Sequence, residues 1–152
     1  PNNDYHSFLA QQGVTIEAGE YINAAGKILG KHQGFCHYTI GQRKGLGIAL
    51  GSPKFVTHIN AATNTVTLGE REDLLTHDVQ ATHIRIRDIN WLKESPEVQA
   101  RIRYKSPVTT GYLTIDNEQV RIHFSEPVWG VAPGQSLVIY KDGLVVGGGI
   151  IC

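Results

Sequence analysis

The chain has 152 residues, of which 41% are hydrophobic and 18% are charged, a composition typical of an ordinary globular protein. Fourteen Lys and Arg residues balance fourteen Asp and Glu residues, and this zero net charge excludes a general attraction to nucleic acid or to an anionic membrane. No apolar run is long enough for a membrane-spanning helix, and the two cysteines, Cys36 and Cys152, form no CxxC pair, which favours a reducing compartment such as the cytoplasm.

Residues 1–78 are predicted to form a small domain of mixed structure. A short helix is expected over residues 2–12, ending at Gly13, because glycine readily adopts the conformation that closes a helix. Short apolar runs separated by turn residues then predict β-hairpins. The expected hairpins and a following helical turn lie at residues 21–29, 55–68 and 70–75.

Residues 79–152 differ in character, because apolar and polar residues alternate in short segments separated by turns. Such alternation is typical of half-buried antiparallel strands. Six strands are predicted, at residues 82–88, 97–105, 109–115, 119–124, 135–140 and 144–150. Six short strands in about seventy residues favour a closed β-barrel, since closure leaves no strand edge exposed. The predicted fold class is therefore mainly β, with an antiparallel six-stranded barrel after a small mixed domain.

One predicted strand, at residues 97–105, carries a basic stripe. Alternation places Val98, Ala100, Ile102 and Tyr104 on the inner face and Gln99, Arg101, Arg103 and Lys105 on the outer face. The strand at residues 82–88 directs Arg85 and Arg87 outward, so pairing of the two strands would gather positive charge on one surface. Arginine binds phosphate oxygens through two N–H groups, so the stripe indicates a phosphate-binding surface. The alternative is an ordinary solvated barrel face.

Residues 38–47 form the densest polar and glycine-rich segment of the chain. Backbone N–H groups of such a loop can form an anion site, to which Arg43 and Lys44 would add charge. The alternative is a tight turn whose glycines adopt positive φ and whose cations are solvated. The segment matches neither the P-loop motif nor the dinucleotide-binding glycine motif, so it does not predict a nucleotide site.

Scattered histidines do not predict a metal site. The chain has 7 His residues but neither an HExxH motif nor a cysteine pair, so a zinc hydrolase, which would hold stoichiometric zinc, is the weakest hypothesis. Cys36 directly precedes His37, and adjacent residues of a strand point apart, so we interpret Cys36 as a small apolar residue. Trp91 and Trp129 are expected to pack at barrel corners rather than to stack on bases.

Four segments together resemble a known family. They are YTIGQRKGLG at residues 38–47, ARIRY at 100–104, APGQS at 132–136 and GGGI at 147–150. In order and spacing they resemble the carboxy-terminal part, a central domain plus a β-barrel, of the bacterial tRNA-specific 2-thiouridylases. The resemblance covers nearly the whole chain, and the first segment is its most specific part.

The resemblance implies an activity that is divided between domains. Members of the family use ATP, with magnesium, to activate the wobble uridine of tRNA, and then replace its 2-oxygen with sulfur delivered by a relay protein or a cysteine desulfurase. The family's barrel is similar to the second domain of elongation factor Tu. Its ATP-binding domain and catalytic cysteines lie outside the matched segments, and the chain contains no Met. We therefore expect a piece of the enzyme that is inactive alone and binds neither a cofactor nor a metal.

The resemblance also implies which residues contact tRNA. These are Arg103 and Tyr104 of the ARIRY segment and Gln135 of the APGQS segment, flanked by Arg101 and Lys105. Because Tyr104 alternates inward, it reaches RNA only if the strand ends or bulges nearby. A lower-ranked set, expected to contact tRNA or the rest of the enzyme, consists of Gln42, Arg43 and Lys44. The competing hypothesis is a non-catalytic RNA- or protein-binding barrel of the translation-factor type that shares these motifs.

Overall fold

A computed structural model describes residues 17–116 and 119–152, and the chain divides between Asp73 and Leu74 into two compact units. The helix expected over residues 2–12 lies outside the described residues. Four strands of the first unit form one sheet with the order β2-β1-β4-β3. They are β1 (Gly19–Ile22), β2 (Ile28–His32), β3 (Phe55–Asn60) and β4 (Thr65–Gly69).

Two antiparallel hairpins, β1–β2 and β3–β4, confirm the pairs that the turn residues predict. The hairpins are joined by a parallel pairing of β1 with β4, in which Tyr21 lies opposite Val66. Short 3₁₀ turns follow β2 and β4, at Phe35–His37 and Glu72–Leu74, and the second is the predicted helical turn. The core of this unit consists of Tyr21, Val56, Val66 and Leu68, against which apolar side chains of the loop before β3 pack.

The second unit is a closed barrel of six antiparallel strands, which confirms the predicted mainly β fold and its six barrel strands. The strands are β5 (Leu75–Ile86), β6 (Glu97–Arg101), β7 (Thr109–Asp116), β8 (Gln119–Trp129), β9 (Ser136–Lys141) and β10 (Leu144–Ile151). Their order around the barrel is β10-β5-β8-β7-β6-β9, and β9 pairs again with β10. Alternating side chains of these strands supply one apolar core, and the alternation shifts where β5 and β10 carry register shifts.

The glycine-rich strand β10 allows the barrel to close tightly. A Cβ atom at Gly147 would lie 2.6 Å from the carbonyl oxygen of Arg85, and one at Gly149 would lie 2.7 Å from that of Thr82. Both separations are shorter than normal contacts, so β10 approaches β5 closely because these positions lack side chains.

A short helix, α1 (Ile89–Glu94), follows β5 and is absent from the predicted elements. The Asp88 carboxylate caps it by accepting hydrogen bonds from the backbone N–H groups of Asn90 and Trp91, each at 3.1 Å. At the other end, the Ser95 N–H donates to the Trp91 carbonyl. Among the described residues, no helix has the length and apolarity needed to cross a membrane.

Candidate nucleic-acid interface

The segment after β6 forms a turn that displays Tyr104. Val98, Ala100 and Ile102 are buried in the barrel as predicted, but the expectation that Tyr104 also faces inward is wrong, because the residue is 88% exposed. β6 ends at Arg101, and once the backbone leaves the extended conformation successive side chains no longer alternate between faces. The end of the strand therefore presents the Tyr104 side chain to solvent.

Hydrogen bonds within the segment hold this turn. The Ser106 hydroxyl donates to the Arg103 carbonyl at 2.9 Å and accepts from the Arg103 N–H at 3.2 Å, and the Ser106 N–H also donates to that carbonyl. The Arg101 guanidinium donates from Nη1 to the Tyr104 carbonyl at 3.3 Å. Arg101 thus supports the turn, whereas Tyr104 and Lys105 extend from it into solvent.

Arg103 lies half-buried against the end of β8. Its Cζ atom is 5.8 Å from the centre of the Trp129 ring, a distance typical of a cation–π contact. Burial lowers the pKa of the Arg103 guanidinium from its ordinary value, but an arginine remains charged in water near neutral pH. The side chain therefore presents a fixed positive charge at the surface of the barrel.

Gln135 lies at the end of the loop from β8 to β9, and its side chain is exposed. The backbone of this loop is tied to β10, because the Gly134 N–H donates to the Ile151 carbonyl and the Ile151 N–H donates to the Gln135 carbonyl, each at 2.8 Å. The Gln135 N–H donates to the Ala132 carbonyl and closes a tight turn. An exposed amide is thus held on a backbone that the barrel fixes.

The topology brings these residues to one end of the barrel, here called the Arg103 rim and formed by residues 102–108 and 130–135. Adjacent strands are antiparallel, so β6, β8 and β10 end at the rim where β5, β7 and β9 begin. The strand registers place the two loops at the same end. Arg101 pairs with Val138 of β9, which lies three positions after Gln135, and Trp129 pairs with Leu75 at the start of β5. Arg101, Arg103, Tyr104, Lys105 and Gln135 therefore share one rim.

The broader basic stripe is not formed. Arg85 and Arg87 are exposed, as alternation predicts, but β5 pairs with β8 and β10, whereas β6 pairs with β7 and β9. The two strands lie on opposite sides of a six-stranded ring, so the hypothesis that they pair and pool their charge is wrong. Positive charge near Arg103 comes instead from its own turn.

Comparison with known proteins identifies the family. Residues 6–70 match the family model described as tRNA methyl transferase PRC-barrel domain, and residues 81–151 match the Aminomethyltransferase beta-barrel domain. The chain is 42% identical over 153 residues to the tRNA-specific 2-thiouridylase MnmA of Clostridium perfringens and 44% identical over 152 residues to that of Clostridium beijerinckii. The chain belongs to the tRNA-specific 2-thiouridylase family. This confirms the resemblance inferred from its four sequence segments.

The chain spans less than half the length of these family members. The matches cover 99% of the chain but 43% of the Clostridium perfringens protein and 42% of the Clostridium beijerinckii protein. A third family member, from Acetivibrio thermocellus, is 41% identical over 152 residues and is covered to the same 42%. The chain therefore corresponds to one part of the 2-thiouridylases that it matches.

The family's glycine-rich segment is a turn-rich loop of the first unit. Gly41, Gly45 and Gly47 have positive φ, which agrees with the tight-turn alternative. The Gln42 amide is engaged inside the loop: its Oε1 accepts from the Thr39 N–H at 3.1 Å and its Nε2 donates to the Lys44 carbonyl at 3.0 Å. The exposed side chains of Arg43 and Lys44 remain predicted contacts for tRNA or for another part of the enzyme.

The surroundings of the histidines and cysteines bear on whether these residues could hold a metal ion. Within the described part of the chain, no group of three or more His, Cys, Asp or Glu side chains is placed to hold a metal ion. His123 contacts the Asp78 carboxylate at 3.1 Å and stacks on His77 with ring centres 5.5 Å apart. Cys36 is partly buried in a 3₁₀ turn and Cys152 is exposed, and both are free thiols.

Sequence reasoning missed two contacts that the barrel makes. It did not link Trp129 to Arg103, although a Trp-Gly pair just before the APGQS segment marks a place where another side chain can approach the backbone. It also did not identify Lys141, which is 8% exposed and lies 5.6 Å above the Trp91 ring. Both aromatic rings pack beside cations of distant segments, a relation that alternation alone does not encode.

Proposed function

We propose that the chain binds tRNA with its Arg103 rim and acts as the positioning part of an enzyme that converts the wobble uridine of tRNA to 2-thiouridine. The observation that carries this proposal is the convergence at the rim of a half-buried arginine, a highly exposed tyrosine and an exposed glutamine from two separate loops. The names of the matched family members, which describe tRNA-specific enzymes, support the same conclusion.

Each of the three side chains suits a different part of an RNA strand. The Arg103 guanidinium can bind a phosphate through two parallel N–H donors. Tyr104 offers a flat aromatic face on which an unpaired base or a ribose can stack. The Gln135 amide can both donate and accept, so it fits a ribose hydroxyl or the edge of a base. Together they predict a contact to a few nucleotides rather than to a long duplex.

Under this proposal the chemistry belongs to a part of the enzyme beyond this chain. ATP and magnesium would act there to activate the uridine, and a sulfur-relay protein or a cysteine desulfurase would supply the sulfur. The chain would bind neither ATP nor a metal, would be inactive alone and would work in the cytoplasm. Its contribution is to hold the tRNA so that the anticodon meets the reacting groups.

A salt titration of tRNA binding tests the proposal. The chain is titrated with bulk tRNA at several salt concentrations, and the Arg103→Ala and Gln135→Ala variants are compared with it. We expect Arg103→Ala to weaken binding about tenfold and to reduce the log–log salt slope by about one unit, because one phosphate contact is lost. Gln135→Ala should weaken binding without changing the slope, because the amide carries no charge.

The matched control is Arg85→Ala, which removes an exposed arginine from the opposite side of the same barrel. It lowers the net charge by the same amount, so a binding loss shared with Arg103→Ala would reflect charge in general. Binding that is undetectable at low salt, or that is indifferent to Arg103 and Gln135, would contradict the proposal.

A further inference from the structure

The Arg103 guanidinium rests on a surface made by two consecutive residues at the end of β8. Trp129 lies beneath it at 5.8 Å. A Cβ atom added to Gly130 would lie 3.4 Å, 3.5 Å and 3.6 Å from the guanidinium atoms Nη2, Cζ and Nη1. The guanidinium therefore occupies the space that a side chain at position 130 would contact.

This surface is fixed to the barrel rather than to a mobile loop. Trp129 is the last residue of β8 and pairs with Leu75 of β5. The Gly130 N–H donates to the carbonyl of Leu74, the residue just before β5, at 3.0 Å, so the backbone of both residues is anchored at the start of that strand. A group held on regular secondary structure keeps its position better than one held on a loop.

Stacking and phosphate binding use different parts of the same guanidinium. Aromatic rings pack against the face of a guanidinium group, whereas a phosphate binds along the edge that carries the N–H donors. A free arginine side chain loses much conformational freedom when it is ordered on a ligand. An arginine that is already held beside a ring loses less, and therefore binds more tightly.

We infer that Trp129 and Gly130 form a seat that positions Arg103 for a tRNA phosphate. Trp129 is a positioning residue that acts through Arg103 and does not itself need to touch RNA. This inference rests on the proposed function, because it assigns a second layer of residues to the same rim.

A double-mutant cycle tests the seat. Trp129→Leu, Arg103→Ala and the double variant are titrated with bulk tRNA beside the unchanged chain. We expect Trp129→Leu to weaken binding about fivefold on its own and to have no further effect when Arg103 is already alanine. Trp129→Phe, which keeps an aromatic face, should restore most of the affinity. Arg103→Lys, which keeps the charge but loses the flat group, should bind more weakly than the unchanged chain.

A matched pair of glycine variants separates the seat from backbone strain. Gly130 and Gly143 both have positive φ, +68° and +76°, so alanine strains the backbone similarly at each. A Cβ atom at Gly143, in the β9–β10 turn, would meet nothing within 4 Å, whereas one at Gly130 would meet the guanidinium. We expect both alanine variants to lose similar stability and to keep their affinity for tRNA, because 3.4 Å is an ordinary van der Waals contact that leaves the guanidinium in place. Gly130→Leu, whose longer side chain must displace the guanidinium, should lose affinity for tRNA, whereas Gly143→Leu should not.

The fluorescence of Trp129 tests the contact between Trp129 and Arg103 in the absence of RNA. The chain has two Trp residues, so Trp91→Phe leaves Trp129 as the only strong emitter. In that background, Arg103→Ala should change the Trp129 emission and its quenching by acrylamide, because the guanidinium no longer covers the ring. This measurement holds even if Trp129→Leu does not fold.

The outcomes distinguish the inference from the proposed function. If Arg103→Ala weakens binding but Trp129→Leu does not, or if Trp129→Leu weakens binding equally when Arg103 is alanine, the seat is overturned while tRNA binding stands. An emission of Trp129 that is unchanged by Arg103→Ala would also overturn it. If the unchanged chain does not bind tRNA, or binds it independently of Arg103, the proposed function fails and the inference fails with it.

Discussion

His32 is a titratable residue that the first unit buries almost completely, at 4% exposure. Its Nδ1 accepts a hydrogen bond from the Gly34 N–H at 3.0 Å, so the proton of the neutral ring lies on Nε2. The rings of Tyr21 and Tyr38 meet it edge-on at 5.1 Å and 5.2 Å. This surrounding favours the neutral ring. Burial lowers the pKa of His32, and the positive charge that the nearby His37 can carry lowers it further.

We expect the first unit to lose stability as the pH falls below about 6.5, the ordinary pKa of histidine. In that range the unfolded chain binds a proton at His32 that the folded chain does not, so acid favours unfolding until the lowered folded-state pKa is reached. Urea unfolding of the chain and of His32→Gln across this pH range measures the effect, and the variant should show the weaker dependence. An NMR titration that places the His32 pKa at or above 6.5 would contradict it.

Tyr104 marks the limit of what the sequence predicts about individual side chains of the site. Alternation correctly assigned the buried faces of Val98, Ala100 and Ile102, because it holds wherever the backbone is extended. It failed at Tyr104 because the strand ends at Arg101. That end depends on hydrogen bonds of Ser106 and Arg101 that form only in the folded turn, so no residue pattern states it in advance.

Lys141 connects three elements of the barrel. It is the last residue of β9, and its Nζ donates to the Ser95 carbonyl at 2.7 Å, to the Ser95 hydroxyl at 3.0 Å and to the Glu97 carbonyl at 2.7 Å. These acceptors lie at the end of α1 and the start of β6. All three ammonium protons are thus used to join a helix and two strands.

We expect Lys141→Met to lower the free energy of unfolding of the barrel by about 2 kcal/mol, because two partly buried carbonyls lose their donor while the apolar stem is kept. Chemical denaturation followed by circular dichroism measures the change. Lys105→Met is the control, since Lys105 is an exposed lysine and its replacement should alter stability little. Equal effects of the two substitutions would show that the network of Lys141 adds nothing.

The sequence predicts where the strands lie better than it predicts which strands pair with each other. The strands follow from local alternation, but alternation does not say which strand lies beside which, so it gave no sign that β5 and β6 lie on opposite sides of the barrel. The parallel β1–β4 pair was missed for the same reason, since it joins segments far apart in sequence. The helix α1 was missed because six residues are too few to show a helical period, and only the Asp88 cap marks its start.

The described residues form one hydrophobic core in each of the two units. The core of the first unit lies against its four-stranded sheet and includes Tyr21 and Val66. The core of the second unit fills the barrel and includes Phe124 and Ile139. The barrel has no unpaired strand, because each of its six strands has two partners. The pairing of its strands is therefore closed within the barrel.

We expect residues 74–152 to fold as an isolated piece, because this segment holds a complete core and a closed ring of strands. Circular dichroism should show a β spectrum, and heating should produce one cooperative transition. The full chain serves as the reference, and the piece carrying Ile139→Ala should melt at a lower temperature because it loses core volume. A piece that gives the spectrum of an unfolded chain would contradict the prediction.

The place of β10 in the barrel has a consequence for synthesis on the ribosome. β10 is the last of the six strands to be made, yet it must pair with both β5 and β9. Until its 8 residues have left the exit tunnel, those two strands each expose an unpaired edge that can recruit a strand of another nascent chain. The newly made barrel therefore stops exposing these edges only when the glycine-rich strand β10 has paired with both neighbours.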